Sequence, residues 1–265
     1  MFSRILALLA ALILSTMAHP VNAATYQETL KSCNAQTVTI LYNIKTNSWM
    51  ITEQSQAAEG TLPASTFKIM NSLIALETGA TKPVELYLWD GVKRDYEVWN
   101  QDMNLALAMK HSAVWVHERL RSRLKTSTYK TYLAKSNYGN GKLETGKNGN
   151  FWVYGDFKVT PRQQIDLLVK LYKNQLPFSL ANQTYVKKIL EVEDDTLPNL
   201  HAKTGWTRKD GKHIGWWIGY TIRENQPLFF ATRIIRDEKD GFEGFLECRK
   251  SITRKAIELY RNTNG

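Results

Sequence analysis

The sequence lacks the features that mark several common protein classes. It holds two cysteines, Cys33 and Cys248, which are too few for a disulfide-rich scaffold. Beyond residue 23 no apolar run is long enough to cross a bilayer as a helix. No internal repeat or low-complexity linker divides the chain. A single globular unit is therefore expected. The positions of the cysteines near opposite ends of the chain leave open whether they pair.

Signatures of metal, nucleotide and nucleic-acid sites are also missing. The histidines show neither His-x-His nor His-Glu-x-x-His spacing, so we expect no metal site. Residues 141–147 resemble a P-loop, but Asn148 stands where a Ser or Thr would hold Mg²⁺. The net charge is +10, yet the basic residues are interspersed with acids and form no long run, so no nucleic-acid partner is expected. Such a basic surface is compatible with small anionic substrates or with an anionic envelope surface.

The first 23 residues have the pattern of a cleaved signal peptide. Arg4 precedes an apolar run over residues 5–14, and Val21-Asn22-Ala23 provides the small residues of a cleavage site. The run is too short for a membrane anchor. We therefore expect a mature chain of about 240 residues. It should be periplasmic or secreted, with no membrane attachment after cleavage, and the sequence carries no signal for its oligomeric state.

The strongest local pattern surrounds Ser65. Pro63 lies just ahead of it, apolar residues follow at helical spacing, and Gly79 stands where a helix ends. Ser65 and Lys68 are three residues apart, so both side chains lie on one face of the first turn, beside backbone N–H groups without helical partners. A hydroxyl, an amine and free N–H donors are three parts of an acyl-transfer site. A capping serine and a solvated lysine would have the same spacing.

A second Ser-x-x-Lys, from Ser127 to Lys130, lies in a lysine-rich segment with the pattern of a surface helix. The two motifs differ in their surroundings, because the chain after Lys68 is almost wholly apolar. A lysine held against such a core loses hydration, and desolvation lowers the pKa of an amine. Lys68, rather than Lys130, is therefore the candidate for a catalytic lysine, while a capped surface helix is the commoner use of such residues.

Strand patterns lie at both ends of the chain and helical patterns lie between them. This order predicts an α/β (α+β) fold with one antiparallel sheet built from N- and C-terminal strands, flanked by helices and carrying an inserted helical lobe. We expect a single domain over residues 24–265. Its sheet lobe would comprise residues 24–62 and 195–265, and its helical lobe residues 63–194.

Turn and capping signals place the individual elements. Asp210-Gly211 predicts a hairpin turn, Thr160 and Gln163 form a capping box around Pro161, and Ser179 caps the next helix. Strands are expected over residues 37–42, 49–52, 200–206, 213–222 and 228–235, and helices over 103–109 (behind Asn100 and Asp102), 112–124, 126–135 and 245–260.

Short motifs further along supply the other parts that a serine acyl-transfer site needs. Lys203-Thr204-Gly205 lies on a predicted strand, where glycine permits a close ligand approach and the N–H of Trp206 is available as a second oxyanion donor. Ser112 opens a predicted helix, and Arg249 lies near the start of the last one. Each alone has an ordinary interpretation as a strand end, a helix cap or a solvated charge. Their combination with the first Ser-x-x-Lys favours catalysis.

The set and order of these motifs resemble the class D (oxacillinase-type) serine β-lactamases over nearly all of the mature chain. The Tyr-Gly-Asn and Phe-Trp motifs are similar to class D rather than to class A or C. The matching segments are Pro63-Ala64-Ser65-Thr66-Phe67-Lys68, Ser112-Ala113-Val114, Tyr138-Gly139-Asn140, Phe151-Trp152, Lys203-Thr204-Gly205, Gly215-Trp216-Trp217 and Arg249-Lys250-Ser251. The resemblance implies a serine β-lactamase/DD-peptidase-like fold and hydrolysis of β-lactam antibiotics.

The resemblance also implies how the base works. Ser65 would be acylated by the β-lactam carbonyl. Lys68 would be N-carboxylated by CO2, and its carbamate would act as general base for acylation and deacylation, so that no dissociable cofactor is needed. The Trp152 indole would hold the carbamate, and Val114 and Val153 would shield it.

The remaining matched residues would handle the substrate. Ser112 and Lys203 would pass a proton to the leaving ring nitrogen. Thr204, beside Gly205, would bind the substrate carboxylate together with Arg249, whose guanidinium fork suits that group. The N–H groups of Ser65 and Trp206 would form the oxyanion hole.

Two positions depart from the family pattern. Met70 stands where the family usually has Pro, and Val153 stands where Leu is usual. The first change should leave the catalytic face of the helix intact. The second would make the space over the carbamate roomier, which affects how water reaches the acyl-enzyme.

A different class of protein shares the Ser-x-x-Lys and Lys-Thr-Gly framework. Penicillin-binding transpeptidase domains and the sensor domains of β-lactam receptors are acylated by the same drugs, and a sensor stays acylated and signals through membrane helices, which we do not expect in this chain. The β-lactamase interpretation predicts many turnovers per molecule. The penicillin-binding or sensor-like alternative predicts a single acylation.

Overall fold

The computed structural model describes residues 23–143 and 149–264. Apart from Ala23, the predicted signal peptide lies outside the described residues, and so do residues 144–147 of the P-loop-like segment. None of the described helices combines the length and the apolar character that a membrane crossing requires.

Six antiparallel strands form the main sheet and confirm the fold class predicted from the strand patterns at both chain ends. In chain order the strands are β1 (Gln36–Asn43), β2 (Ser48–Ile51), β3 (Leu86–Tyr87), β4 (Met103–Asn104), β5 (Glu191–Val192), β6 (Leu200–Lys209), β7 (Lys212–Arg223) and β8 (Gln226–Asp237). The main sheet has the order β2-β1-β8-β7-β6-β5, while β3 and β4 pair separately. The first and last parts of the chain thus share one sheet, and β5 extends it into the segment predicted as the helical lobe.

Left-handed turns connect the long strands. Asp210 and Gly211 have φ values of +53° and +72°, which confirms the predicted hairpin turn between β6 and β7. Glu224 and Asn225, with φ values of +51° and +58°, make the next turn without a glycine. Both turns fix the register of β7 against its neighbours.

The helices surround this sheet. In chain order they are α1 (Ala23–Cys33), α2 (Gln54–Ala57), α3 (Lys68–Glu77), α4 (Leu105–Lys110), α5 (Val114–Ser122), α6 (Thr126–Ser136), α7 (Pro161–Tyr172), α8 (Leu180–Ile189) and α9 (Phe245–Asn264). The capping box of Thr160 with Gln163 is confirmed at α7, and the Ser179 cap is confirmed at α8. Helix α1 has no counterpart among the predicted elements.

The predicted start of the helix over residues 103–109 is wrong. Met103 and Asn104 are extended because β4 pairs with β3, so the helix begins after them. The side chain of Asn104 caps α4 by accepting a backbone N–H of its first turn, in place of the predicted caps Asn100 and Asp102.

Each face of the sheet carries its own hydrophobic layer. Successive side chains of a strand point to opposite faces. Phe229 accordingly belongs to the hydrophobic cluster that contains residues of α3, α5 and α7, and Phe230 belongs to the cluster that contains residues of α1 and α9. On β7, Trp216 belongs to the first of these clusters and Trp217 to the second. Helix α3 is therefore held against the sheet face opposite α9.

Cys33 and Cys248 form a disulfide, so the pairing that the sequence left open does occur. Their Cα atoms are 5.7 Å apart at a sequence separation of 215. The bond ties the end of α1 to the first turn of α9. Because Arg249 follows Cys248 directly, the disulfide also anchors the turn that carries this arginine.

Removing the disulfide should lower the free energy of unfolding by about 2–5 kcal/mol, because the bond closes a long loop in the unfolded chain. We expect the Cys33→Ser, Cys248→Ser double variant to unfold at a lower urea concentration than the wild type, followed by tryptophan fluorescence. Reductant should shift the wild-type midpoint to that of the variant and leave the variant unchanged. Identical midpoints for oxidised and reduced wild type would contradict this.

Candidate active site

Ser65 and Lys68 lie at the junction of two elements rather than in one helix as predicted. Ser65 lies in a 3₁₀ turn, Ala64–Phe67, and Lys68 is the first residue of α3. The Lys68 amine donates to Ser65 Oγ at 2.6 Å. Lys68 is fully buried and Ser65 is partly exposed, whereas Ser127 and Lys130 of the second motif are both exposed on α6. The structure therefore supports the distinction drawn between the two motifs.

Buried hydrogen bonds hold the 3₁₀ turn in shape. Thr66 Oγ1 donates to Pro63 O at 2.7 Å and accepts from the Gln164 amide at 2.8 Å. The Tyr138 hydroxyl donates in turn to Gln164 at 2.9 Å. Ala64 has a φ of +50°, in the left-handed region, which costs a non-glycine residue about 1–3 kcal/mol. This network supports the strained conformation next to the nucleophile.

The Lys68 amine is poorly suited to carrying a charge. Burial lowers its pKa well below the usual value, the positive charge of Lys203 lowers it further, and Glu118 opposes them with a smaller effect. A neutral amine in contact with a hydroxyl can accept its proton. The geometry and the pKa therefore both favour Lys68 as a base.

Strand β6 runs beside the 3₁₀ turn. A Cβ on Gly205 would lie 2.9 Å from Pro63 O and 3.3 Å from Ser65 N, so a larger residue would push the strand away from the turn. Among the described residues, β5 covers this edge of β6 only at Leu200 and His201. An uncovered strand edge leaves backbone N–H groups unpaired. Gly205 thus brings β6, with Trp206 as its next residue, up to the N–H of the nucleophile.

Lys203 reaches from β6 to Ser112. Its amine donates to Ser112 Oγ at 2.9 Å and to Thr204 O at 3.1 Å. Ser112 does not open a helix as predicted, because its φ of +56° places it ahead of α5 in a left-handed bend. Burial lowers the pKa of Lys203 to about 7, with a smaller contribution from the positive charge of Arg249. A proton shared between Lys203 and Ser112 can therefore move near neutral pH.

Arg249 lies on α9 behind β6. It donates to Gly205 O at 2.5 Å and is only 7% exposed, so it is not the solvated charge that its position in the sequence suggested. Burial lowers its pKa to about 10, which leaves it charged at neutral pH. Its Nε has no partner in the described part of the chain. The partly exposed Thr204 lies on the same strand as Gly205, and a guanidinium with a spare donor suits a carboxylate ligand.

Trp152 packs against the 3₁₀ turn. Its ring stacks on Phe67 with ring centroids 5.1 Å apart, and its carbonyl oxygen accepts the N–H of Ala64 at 2.9 Å. Its indole Nε1 is buried and finds no hydrogen-bond partner among the residues described. A buried unpaired donor is costly. The site therefore suits a further acceptor group beside the Trp152 indole.

The two valines of the predicted set have different surroundings. Val153 is buried next to Trp152, and its carbonyl oxygen accepts the Thr207 hydroxyl at 2.7 Å. Val114 is half-buried at the start of α5 and lines a cavity of about 290 Å³. A larger cavity of about 540 Å³ is lined by none of the predicted site residues and lies by α1 and the β7 and β8 ends, so size alone does not locate the chemistry.

Sequence reasoning missed two sets of buried polar residues near the nucleophile. One is Gln164, which supports the 3₁₀ turn and could have been found as a polar residue one turn before Leu168 on the apolar face of α7. The other is a cluster of Asn71, His117 and Tyr129 behind α3, and no local pattern marks it. Within residues 23–143 and 149–264, no group of His, Cys, Asp or Glu is placed to hold a metal ion.

Comparison with known proteins agrees with this geometry. The penicillin-binding protein transpeptidase domain family matches residues 23–258. The β-lactamase OXA-20 of Pseudomonas aeruginosa is 35% identical over 266 residues, covering 97% of each chain. The crystal structure of the class D β-lactamase from Sebaldella termitidis superimposes with a TM-score of 0.84 at 34% identity, covering 91% of this chain and 97% of that one.

A regulatory protein is also similar to this chain. Regulatory protein BlaR1 of Bacillus licheniformis is 30% identical over 218 residues. The match covers 82% of this chain but 36% of BlaR1, so the chain spans about a third of that protein.

The Lys203 amine should be protonated below about pH 7 and neutral above it, because burial and the Arg249 charge both disfavour the ammonium. We expect its ¹³Cε resonance to titrate with a midpoint near 7 in protein labelled with ¹³C-lysine. Arg249→Ala should raise the midpoint by removing the positive charge. Arg254→Ala, on the same helix but paired with Asp194, should leave it unchanged. A midpoint close to that of an unperturbed lysine, about 10.4, would refute the assignment.

Proposed function

Because the chain belongs to the class D β-lactamases, within the transpeptidase family of penicillin-binding proteins, we propose that it hydrolyses β-lactam antibiotics through an acyl-enzyme on Ser65. One observation carries this assignment of the nucleophile. The fully buried Lys68 amine lies 2.6 Å from the partly exposed Ser65 Oγ. A desolvated base in contact with an accessible hydroxyl makes that hydroxyl a nucleophile.

In the proposed acylation, protons move through the side chains of Ser65, Lys68, Ser112 and Lys203. Ser65 Oγ bonds to the β-lactam carbonyl carbon as its proton passes to the Lys68 side chain. The carbonyl π electrons move to the oxygen, where the N–H groups of Ser65 and Trp206 stabilise the charge. Collapse breaks the ring C–N bond, and the nitrogen takes a proton from Ser112 Oγ, which Lys203 replaces across 2.9 Å. The proton on the Lys68 side chain returns to Lys203 through solvent. Water then bonds to the ester carbon as one of its protons passes to Lys68, the bond from that carbon to Ser65 Oγ breaks, and Ser65 Oγ takes this proton from Lys68 as the ring-opened acid leaves.

Substrate binding in this proposal depends on Thr204 of β6 and on Arg249 of α9, which lies behind that strand. β-Lactam antibiotics carry a carboxylate next to the ring nitrogen, and Thr204 and Arg249 would bind it. Arg249 supports this role because it is charged, buried against Gly205 O and left with an unpartnered Nε among the residues described. Burial strengthens such a charge-assisted hydrogen bond.

Lys68 also has the properties of a lysine that takes up CO2. A neutral amine adds to the carbon of CO2 and loses one N–H proton, and burial keeps Lys68 neutral. The buried Trp152 indole N–H, which has no partner among the described residues, would donate to the resulting carbamate. Val114 and Val153 would limit water access to it. When present, the carbamate supplies an oxygen base for acylation and deacylation, and no dissociable cofactor or metal is required.

A penicillin-binding or sensor-like protein that stays acylated is the second candidate. The similarity to regulatory protein BlaR1 favours it. Both candidates share the acylation step on Ser65, and they differ in whether water then cleaves the ester. Turnover therefore separates them.

We also propose that the protein is exported to the periplasm or beyond, with small β-lactams as its partners, no nucleic-acid partner and no membrane attachment after signal cleavage. The signal-peptide pattern of residues 1–23 supports export. The disulfide between Cys33 and Cys248 supports it independently, because such bonds persist in oxidising compartments.

Turnover of a chromogenic cephalosporin tests the proposed function. We expect the wild type to process many molecules per enzyme. Lys68→Ala should lower turnover by about 100- to 10,000-fold, the contribution of a general base, and mass spectrometry should show any acylated protein persisting. Lys130→Ala, in the exposed second motif, serves as the matched control and should leave turnover unchanged. A single stoichiometric burst by the wild type would favour the sensor-like alternative.

Trp152→Phe should make turnover depend on added bicarbonate, because phenylalanine keeps the aromatic packing against Phe67 but removes the indole N–H. After CO2 is stripped, we expect the variant to need about 10- to 100-fold more bicarbonate than the wild type for half-maximal activity, the value of one hydrogen bond to a charged group. The same bicarbonate requirement in both proteins would show that Trp152 does not hold a carbamate.

A further inference from the structure

A buried histidine on α5 takes no part in the reaction described above. His117 is fully buried, and its Nδ1 lies 3.2 Å from the side-chain nitrogen of Asn71. That nitrogen also donates to the His117 carbonyl oxygen at 3.1 Å. The Tyr129 hydroxyl donates to Asn71 Oδ1 at 2.5 Å. Helices α3, α5 and α6 therefore meet at one polar cluster.

These bonds fix the tautomer of His117. A carbonyl oxygen only accepts hydrogen bonds, so the Asn71 nitrogen faces His117 and the Asn71 oxygen faces Tyr129. His117 Nδ1 must then be the acceptor, and in a neutral ring the proton lies on Nε2. Burial is the main cause that lowers the pKa of His117 well below its usual value, and a positive charge on Lys68 or Lys203 would lower it further, so the ring is neutral.

The His117 ring lies over the face of α3 that carries Lys68. Lys68 and Asn71 are three residues apart, so their side chains leave α3 on the same face. Asn71 is the residue that holds the ring. A charge on Lys68 would lower the pKa of His117 more than a charge on Lys203. The cluster therefore holds the His117 ring on the face of α3 from which the Lys68 side chain leaves.

Two buried N–H donors therefore belong to rings held by neighbours of Lys68 in the chain. The Trp152 ring stacks on Phe67 and the His117 ring is bonded to Asn71, and neither Trp152 Nε1 nor His117 Nε2 has a partner among the residues described. A neutral amine has one lone pair and cannot accept from both while in contact with Ser65. A carbamate has two oxygens, each able to accept hydrogen bonds. The number of donors matches the carboxylated side chain and not the free amine.

We propose that His117 is a positioning residue whose Nε2–H donates a hydrogen bond to one oxygen of the Lys68 carbamate, while the Trp152 indole donates to the other. This inference rests on the proposed function, because it concerns the carboxylated form of Lys68. The two donors would fix the rotation of the carbamate and so the direction in which it faces Ser65.

The competing interpretation is that His117 only fills space, with Nε2–H bonded to an internal water. Packing alone does not require a fixed tautomer. Asn71 and Tyr129 fix one in which the N–H points away from their own cluster. Two buried hydrogen bonds thus set the orientation of the Asn71 amide and with it the position of the His117 proton. This favours a role for His117 as a hydrogen-bond donor over a role in packing alone.

Two substitutions at position 117 distinguish a hydrogen-bond donor to the carbamate from a side chain that only fills space. His117→Asn keeps a polar group near the Nδ1 position but removes the Nε2–H, and His117→Gln places an amide N–H near the Nε2 position. Protein freed of CO2 is titrated with ¹³C-bicarbonate, and the carbamate ¹³C signal is followed by NMR. We expect His117→Asn to need about 10- to 100-fold more bicarbonate for half-occupancy, and His117→Gln to recover most of the loss. His111→Asn, outside the cluster, is the control and should match the wild type.

A second measurement on the wild type does not depend on whether a variant folds. In protein labelled with ¹⁵N-histidine, the Nε2–H proton of His117 should move downfield when bicarbonate is added, in step with the carbamate signal. A resonance that stays unmoved while the carbamate signal appears would overturn the inference, as would equal bicarbonate affinity of His117→Asn and the wild type.

The outcomes also distinguish this inference from the proposed function. Absence of any wild-type carbamate signal, or a single burst without turnover, overturns the proposed function. A normal wild-type signal with many turnovers, combined with an unmoved His117 resonance, overturns the role of His117 alone.

Discussion

The removal of Lys68 from water is the physical constraint on which the site depends. A buried ammonium is unfavourable unless it is paired, and no carboxylate forms an ion pair with Lys68 in the described structure. The neutral amine is therefore the stable form, and it lies against the Ser65 hydroxyl. The apolar residues of α3 that exclude water are also core residues, so the burial that keeps the Lys68 amine neutral is the same burial that stabilises the helix.

The close approach of β6 to the 3₁₀ turn brings further polar residues up to Ser65 and Lys68. Gly205 lets the strand reach the backbone of Pro63 and Ser65, which places Lys203 near Ser112 and Gly205 O against Arg249. Four separate parts of the chain meet there, and the antiparallel sheet brings them together by pairing the first strands with the last. Met70, where the family usually has Pro, is fully buried within α3 and leaves the contact between Lys68 and Ser65 in place.

Unpaired polar groups in a buried region indicate what the site is built to hold. Trp152 Nε1 and Arg249 Nε are both buried donors without a partner in the residues described. Leaving such donors empty costs about 1–3 kcal/mol each, which a protein recovers only when an acceptor arrives. Trp152 packs against the 3₁₀ turn and Arg249 lies on α9, and the proposed function accordingly assigns them two separate anionic groups, the Lys68 carbamate and the substrate carboxylate.

The sequence by itself determined the features that depend on neighbours a few residues apart: the hairpin turn at Asp210, the capping box at Thr160 and the shared face of Ser65 and Lys68. The family motifs identified the remaining site residues. Tertiary structure decided what local pattern cannot encode. Because β3 pairs with β4, α4 begins later than predicted. Ser112 lies in a left-handed bend and is therefore not part of α5. Three contacts join residues that are far apart in the chain. They are the disulfide, the hydrogen bond from Gln164 to Thr66 and the hydrogen bond between Asn71 and His117. Such contacts arise only when the sheet closes, because burial and proximity are properties of the packed fold.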